Sequence, residues 1–221
     1  MAVDTFSILG MNGRVNNPVV KYSDGDLRPL SLGQTGGGVL TSQVHGKWFE
    51  AVKRGNVFLG NTVIAGVALP VNAATLVSKF TIWNLAGSGK DVELIEFGLG
   101  IDSATEVVNS VVLGVQPYVT SSGGVPGTLT QLTTPTNLSF SGQVPTARLY
   151  SAATLTNAAV LTNIMSLGIN FDATAIGQGL SLYDFDGKVV IPPDTIATFM
   201  TTVVAETATF CSLVWAEWPQ S

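Results

Sequence analysis

The stretch Phe80-Thr81-Ile82-Trp83-Asn84-Leu85-Ala86-Gly87-Ser88-Gly89-Lys90-Asp91-Val92-Glu93-Leu94-Ile95-Glu96-Phe97-Gly98-Leu99-Gly100 decides the fold of this chain. Its first four residues are aromatic or β-branched, the composition of a strand. Asn84 to Gly89 is a run of small turn formers. Val92 to Leu99 then reads as a second strand. The two are expected to form a hairpin with a loop of about six residues, longer than the two-residue kind. On a regular strand Val92, Leu94 and Glu96 share one face, and Glu93, Ile95 and Phe97 the other. That alternation is imperfect, so both faces need partial cover.

Outward from this stretch the same grammar repeats. Toward the C-terminus, Leu180-Ser181-Leu182-Tyr183 and Lys188-Val189-Val190-Ile191 flank Asp184-Phe185-Asp186-Gly187. An Asp-Gly pair between two such runs signals a second hairpin. Pro192-Pro193-Asp194 makes a corner, and residues 195–204 and 207–215 read as two long strands. Toward the N-terminus, Asn56 to Leu69 reads as two short strands or one bulged strand, with glycines at the bends. A short helix fits between Gly46 and Gly55. Glu106 to Val115 is strand-like, residues 119–146 read as an exposed polar excursion, and residues 147–169 lean to strand because Thr and Asn are poor helix formers. Many strands, frequent turns and no long helical period predict an all-β fold, an antiparallel β-sandwich or a barrel.

Residues 1–46 differ from the rest. They hold the run Gly36-Gly37-Gly38 and the breaks Asn16-Asn17-Pro18 and Arg28-Pro29, with no apolar period. They form an irregular N-terminal extension ahead of a body spanning 47–221. Phe6, Leu9, Val20, Tyr22 and Leu30 nevertheless make the extension more apolar than disorder allows. They are candidate partner contacts, together with Lys47, Trp48, Lys53 and Arg54 at the start of the body.

Composition narrows the function. Of 221 residues, 46% are hydrophobic and only 11% charged. Average soluble proteins carry roughly 25% charged residues. A chain so poor in charge leaves apolar surface that other chains tend to cover. The net charge is −5, which argues against a nucleic-acid partner. The bases Arg14, Lys21, Arg28, Lys47, Lys53 and Arg54 fall in the first sixty residues, where the acids Asp4, Asp24, Asp26 and Glu50 are outnumbered. The lone Cys211 sits in an apolar run and reads as a buried, inert thiol. It permits no intrachain disulfide, as suits a reducing compartment. No secretory signal pattern and no apolar run long enough for a membrane span are seen.

Catalytic patterns fail on spacing. Gly87-Ser88-Gly89-Lys90 lacks the earlier glycine and the following Ser or Thr of a phosphate loop, since Asn84 and Asp91 occupy those places. His45 is the one histidine, and no serine lies in a G-x-S-x-G elbow. Asp184 and Asp186 lack the further oxygen ligands of a calcium loop. Glu93 and Glu96, on a regular strand, face opposite ways and cannot flank one glycosidic bond. Trp48, Trp83, Trp215 and Trp218 could stack on sugars, but aromatic residues beside apolar strands more commonly pack in cores or interfaces. No catalytic or metal site is expected.

Several segments together resemble tailed-bacteriophage virion proteins of the head-decoration (cement) type. They are Trp48-Phe49-Glu50-Ala51 with Arg54-Gly55-Asn56-Val57-Phe58, the run Phe80 to Lys90, Ile191-Pro192-Pro193-Asp194, and Val214-Trp215-Ala216-Glu217-Trp218-Pro219. Pro192-Pro193-Asp194 departs from the Pro-Gly corner expected there. The resemblance implies a jelly-roll-like β-sandwich, no cofactor and no enzymatic activity. It implies a homotrimer that contacts the major capsid protein and neighbouring copies of itself. Its place would be the outer capsid surface of a virion assembled in the host cytoplasm, with no nucleic acid or membrane bound. A tail or head-fibre component and a carbohydrate-binding β-sandwich are the alternatives.

Overall fold

Twelve strands and one short helix make up the ordered elements of the computed structural model. It describes residues 46–63, 66–71, 76–101, 109–117, 119–120, 129–132, 135–155, 163–171, 181–203 and 208–220. In chain order they are α1 (Phe49–Lys53), β1 (Val57–Asn61), β2 (Leu76–Ser78), β3 (Thr81–Asn84), β4 (Lys90–Ile101), β5 (Asn109–Gln116), β6 (Leu129–Gln131), β7 (Thr136–Asn137), β8 (Arg148–Leu155), β9 (Asn163–Phe171), β10 (Ser181–Ile191), β11 (Thr195–Thr201) and β12 (Thr209–Pro219). Chain contacts divide the protein into Met1–Phe49 and Glu50–Ser221, and the strands all belong to the second unit. The extension expected over residues 1–46 lies almost wholly outside the described residues.

The strands pair antiparallel in two sheets. One has the order β10-β4-β12-β1-β7. In the other, β2 and β3 both lie on the flank of β8 opposite β6, as successive pieces of one line. That line continues through β11 and β5 to β9. Setting aside β6, β7 and β8, which come from one insertion after β5, the sheets read β10-β4-β12-β1 and (β2, β3)-β11-β5-β9. With β2 and β3 taken as one strand position, every step along the remaining chain changes sheet except β5 to β9. This is the wiring of a jelly roll, the fold the resemblance implies.

The core fills the space between the sheets. Phe97 of β4 stacks on Phe199 of β11 with ring centroids 4.1 Å apart and planes 7° from parallel. Phe80 closes the group, 5.6 Å from Phe199, and Trp215 packs on Phe58 at 5.9 Å. The outer face of the second sheet is buried around β11: Trp83, Tyr150, Ile196 and Met200 belong to a second cluster. Every residue of β11 is therefore buried, and its sequence shows no apolar–polar alternation for that reason.

Three sequence expectations are corrected. The Phe80–Gly100 stretch is not a hairpin. β3 pairs with β8 and β11, while β4 pairs with β10 and β12. The turn between them, with Gly87 at φ 73° and Gly89 at φ 64°, carries the chain from one sheet to the other. Inter-sheet corners use the same turn residues as hairpins, so composition does not separate them. Asn84 braces this corner, its amide donating to the carbonyls of Lys90 at 2.8 Å and Ile191 at 2.9 Å.

The Asp184–Gly187 run is likewise no hairpin. β10 stays one strand along β4, and its register shifts between Asp184 and Val189. Asp186 at φ 50° and Gly187 at φ 73° take the left-handed conformations that Asp-Gly favours, here within a bulge. A Cβ at Gly187 would collide with the carboxylate of Glu93.

The third correction concerns Glu93 and Glu96. The pairing of β4 with β12 shifts between Val214 and Trp215, which leaves Ile95 as an extra residue. Val92 and Leu94 point into the core before this bulge, and Phe97 and Leu99 after it. Glu93 and Glu96 therefore share the outer face. The imperfect alternation in the sequence is the trace of this bulge.

Elsewhere the strand expectation for residues 147–169 matches β8 and β9, and the short helix matches α1. The segment read as an exposed excursion contributes β6 and β7, and Leu132 and Asn137 within it are buried.

Candidate functional site

The candidate contact residues separate into two groups. Phe6, Leu9, Val20, Tyr22 and Leu30 lie outside the described residues, as does His45. Lys47 places its ammonium 4.8 Å from the ring centre of Trp48, a cation–π contact. Lys53 ends α1 and Arg54 follows it, both exposed.

Residues with chemical potential are committed to the fold. Lys90 forms an ion pair with Glu217 at 3.1 Å. Glu93 accepts a hydrogen bond from the indole N–H of Trp218 at 2.6 Å. Asp184 accepts the backbone N–H of Asp186 at 2.7 Å. Trp83 and Trp215 are buried. Among the described residues no cluster of three or more His, Cys, Asp or Glu could hold a metal. Burial pushes the Cys211 thiol up to about 12, against a smaller lowering by its contact with Thr209. Burial likewise raises Tyr150, opposed by the neighbouring Arg148.

What remains available for binding is surface, and the insertion supplies its most exposed part. After β7 the chain makes a loop over residues 138–146, which holds no charged side chain. Asn137 braces its start. The amide donates to the Gly55 carbonyl at 2.6 Å, and Oδ1 accepts from the Ser139 N–H at 2.9 Å and the Ser139 hydroxyl at 2.5 Å. Glu217 braces its end, accepting the N–H groups of Thr146 and Ala147, each at 2.9 Å. Between these clamps Phe140 is 82% exposed and Val144 69%. Phe140 has φ 55°, a left-handed conformation that costs a bulky residue roughly 1–2 kcal/mol. The loop packs against the end of α1, since Ser141 and Gln143 approach Gly55. Lys53 and Arg54 immediately precede Gly55, on which this uncharged loop rests.

A second surface lies across the first sheet. Leu182 and Val190 of β10 are 58% and 52% exposed on its outer face. Between them Asp184 stands directly opposite Glu96 of β4. Two carboxylates in that relation repel. Lys188 on the same bulge is exposed and forms no ion pair with either among the described residues.

Sequence reasoning passed over Phe140, Glu217 and this β10 face. The one available signal for Phe140 was a lone aromatic between serines in a polar run. Glu217 showed itself only as a single acid inside an aromatic strand. No protein-family model matches the chain, and no curated protein is similar to it.

Proposed function

We propose that this protein is a capsid decoration protein, which fixes to the outside of a tailed-bacteriophage head and ties coat subunits together. It works by adhesion and not by catalysis, as a homotrimer assembled in the host cytoplasm, touching the major capsid protein and sister copies. The observation that carries this reading is the Phe140 loop: a rigid jelly roll spends hydrogen bonds to hold a strained phenylalanine out in water. Strain of this kind gathers where a surface has work to do, and an aromatic anchor is the usual centre of an adhesive contact.

The N-terminal extension supplies the capsid anchor. Ordering it costs roughly 1–2 kcal/mol per residue, and each large anchor such as Phe6, Leu9, Val20, Tyr22 or Leu30 returns roughly 1.5–3 kcal/mol. Five such anchors do not cover so long a segment, so backbone pairing with a neighbour's strand edge has to contribute. The test pellets undecorated tailed-phage capsids with full-length protein or with protein lacking residues 2–45. Full-length protein co-sediments, and the truncated body folds but stays in the supernatant. Equal binding by the truncated body would move the anchor to the sandwich. Failure of both to bind would end the decoration reading.

A further inference from the structure

We infer that two copies of this protein join head to tail, the Phe140 loop of one docking on the β10 face of the next. The contact is between copies of this chain and holds independently of the capsid reading.

Both halves of the contact are on one molecule and cannot meet there. The loop leaves from β7, at one edge of the first sheet, and the Leu182–Val190 face lies on β10 at the opposite edge. Four strand spacings separate the two edges, about 19 Å. Neither surface is complete alone. The loop offers apolar side chains, Phe140 and Val144, beside the bases Lys53 and Arg54. The face offers apolar side chains, Leu182 and Val190, around the opposed carboxylates Asp184 and Glu96. Neither Lys53 nor Arg54 forms an ion pair among the described residues. Joining the surfaces covers exposed apolar area on both sides and sets bases against the acid pair that repels itself. The net charges favour this pairing, with Glu50 on the helix that carries Lys53 and Lys188 on the bulge beside the acid pair each offsetting part of it. Loop against loop sets base on base, and face against face sets acid on acid, so a symmetric two-fold contact through either surface is disfavoured.

A head-to-tail contact repeats around a ring when the rotation between neighbours closes. A trimer is the ring that the decoration reading calls for.

The test uses purified full-length protein and sedimentation velocity. Wild-type protein at tens of micromolar sediments as an oligomer that added salt weakens. Phe140→Asp and Val190→Asp each weaken self-association by more than about tenfold, with the strand signal in circular dichroism unchanged; Val190→Asp also lowers the melting temperature, because its carboxylate faces Glu93. Mixed one to one, these two variants form a dimer and stop there, because one retains an intact face and the other an intact loop. Phe140→Ser and Leu182→Ser repeat both arms without adding charge, should an aspartate disturb folding. A monomeric wild type, a variant of either surface that still assembles, or a mixture that stays monomeric overturns the contact.

Discussion

At position 217 a carboxylate sits in a residue only 2% exposed, and four donors converge on it. Lys90, the N–H groups of Thr146 and Ala147, and the Trp215 indole at 3.4 Å fill its lone pairs. Removing such an acceptor strands buried donors, each costing about 1–3 kcal/mol. Glu217→Ala should therefore lower stability by about 3 kcal/mol in urea unfolding, while Lys90→Met, which removes a half-buried base and leaves the carboxylate its three N–H donors, costs less, about 1–3 kcal/mol. Phe140 behaves in the opposite way. Asn tolerates its left-handed backbone, so Phe140→Asn should raise stability by about 0.5–1 kcal/mol while weakening self-association. Cys211 gives a pH signature. Its thiol ordinarily ionises near 9.0 and is pushed up to about 12 in the fold. Above the lower value the unfolded chain releases its proton first, so stability falls as pH rises from about 9 to about 12. Cys211→Ala should flatten that alkaline slope in urea titrations, leaving the part due to Tyr150.

At the scale of elements, strands were legible and their partners were not. β-branched and aromatic runs marked β3, β4, β5, β11 and β12, because such side chains fit a pleated, buried surface. Pairing depends on which edge is free, and that is a property of the whole sheet. Asn84–Gly89 and Asp184–Gly187 carry hairpin chemistry, yet one crosses between sheets and the other bulges within a strand. The Ile95 bulge was visible only as a broken alternation, which also fits a regular strand covered on both faces. The proposed contact surfaces were harder still. Lys53 and Arg54 stood out by charge, but Phe140 depends on clamps from Asn137 and Glu217, residues far apart in sequence from each other. Gly187 offers a check on the bulge. Gly187→Ala forces a side chain into a left-handed backbone at a cost of about 1–2 kcal/mol, and its Cβ meets the Glu93 carboxylate that holds Trp218. The variant should lose stability and shift Trp fluorescence. An unchanged protein would mean that the bulge is not built as described.

For the whole molecule, a jelly roll around a buried core makes a stiff platform that carries Phe140 and Val144 at one edge of the first sheet and Leu182 and Val190 at the opposite edge. Few charges clothe it, and no helix among the described residues is long and apolar enough to cross a membrane. Stiffness and placement suit a subunit that binds neighbours on a curved shell, where a flexible one would lose entropy at each contact. The most direct measurement is cryo-electron microscopy of undecorated tailed-phage capsids incubated with saturating full-length protein. The account predicts new density on the outer surface that fits the two-sheet sandwich in closed rings, with Phe140 loops against β10 faces. Capsids that gain no density while the added protein remains folded would contradict it.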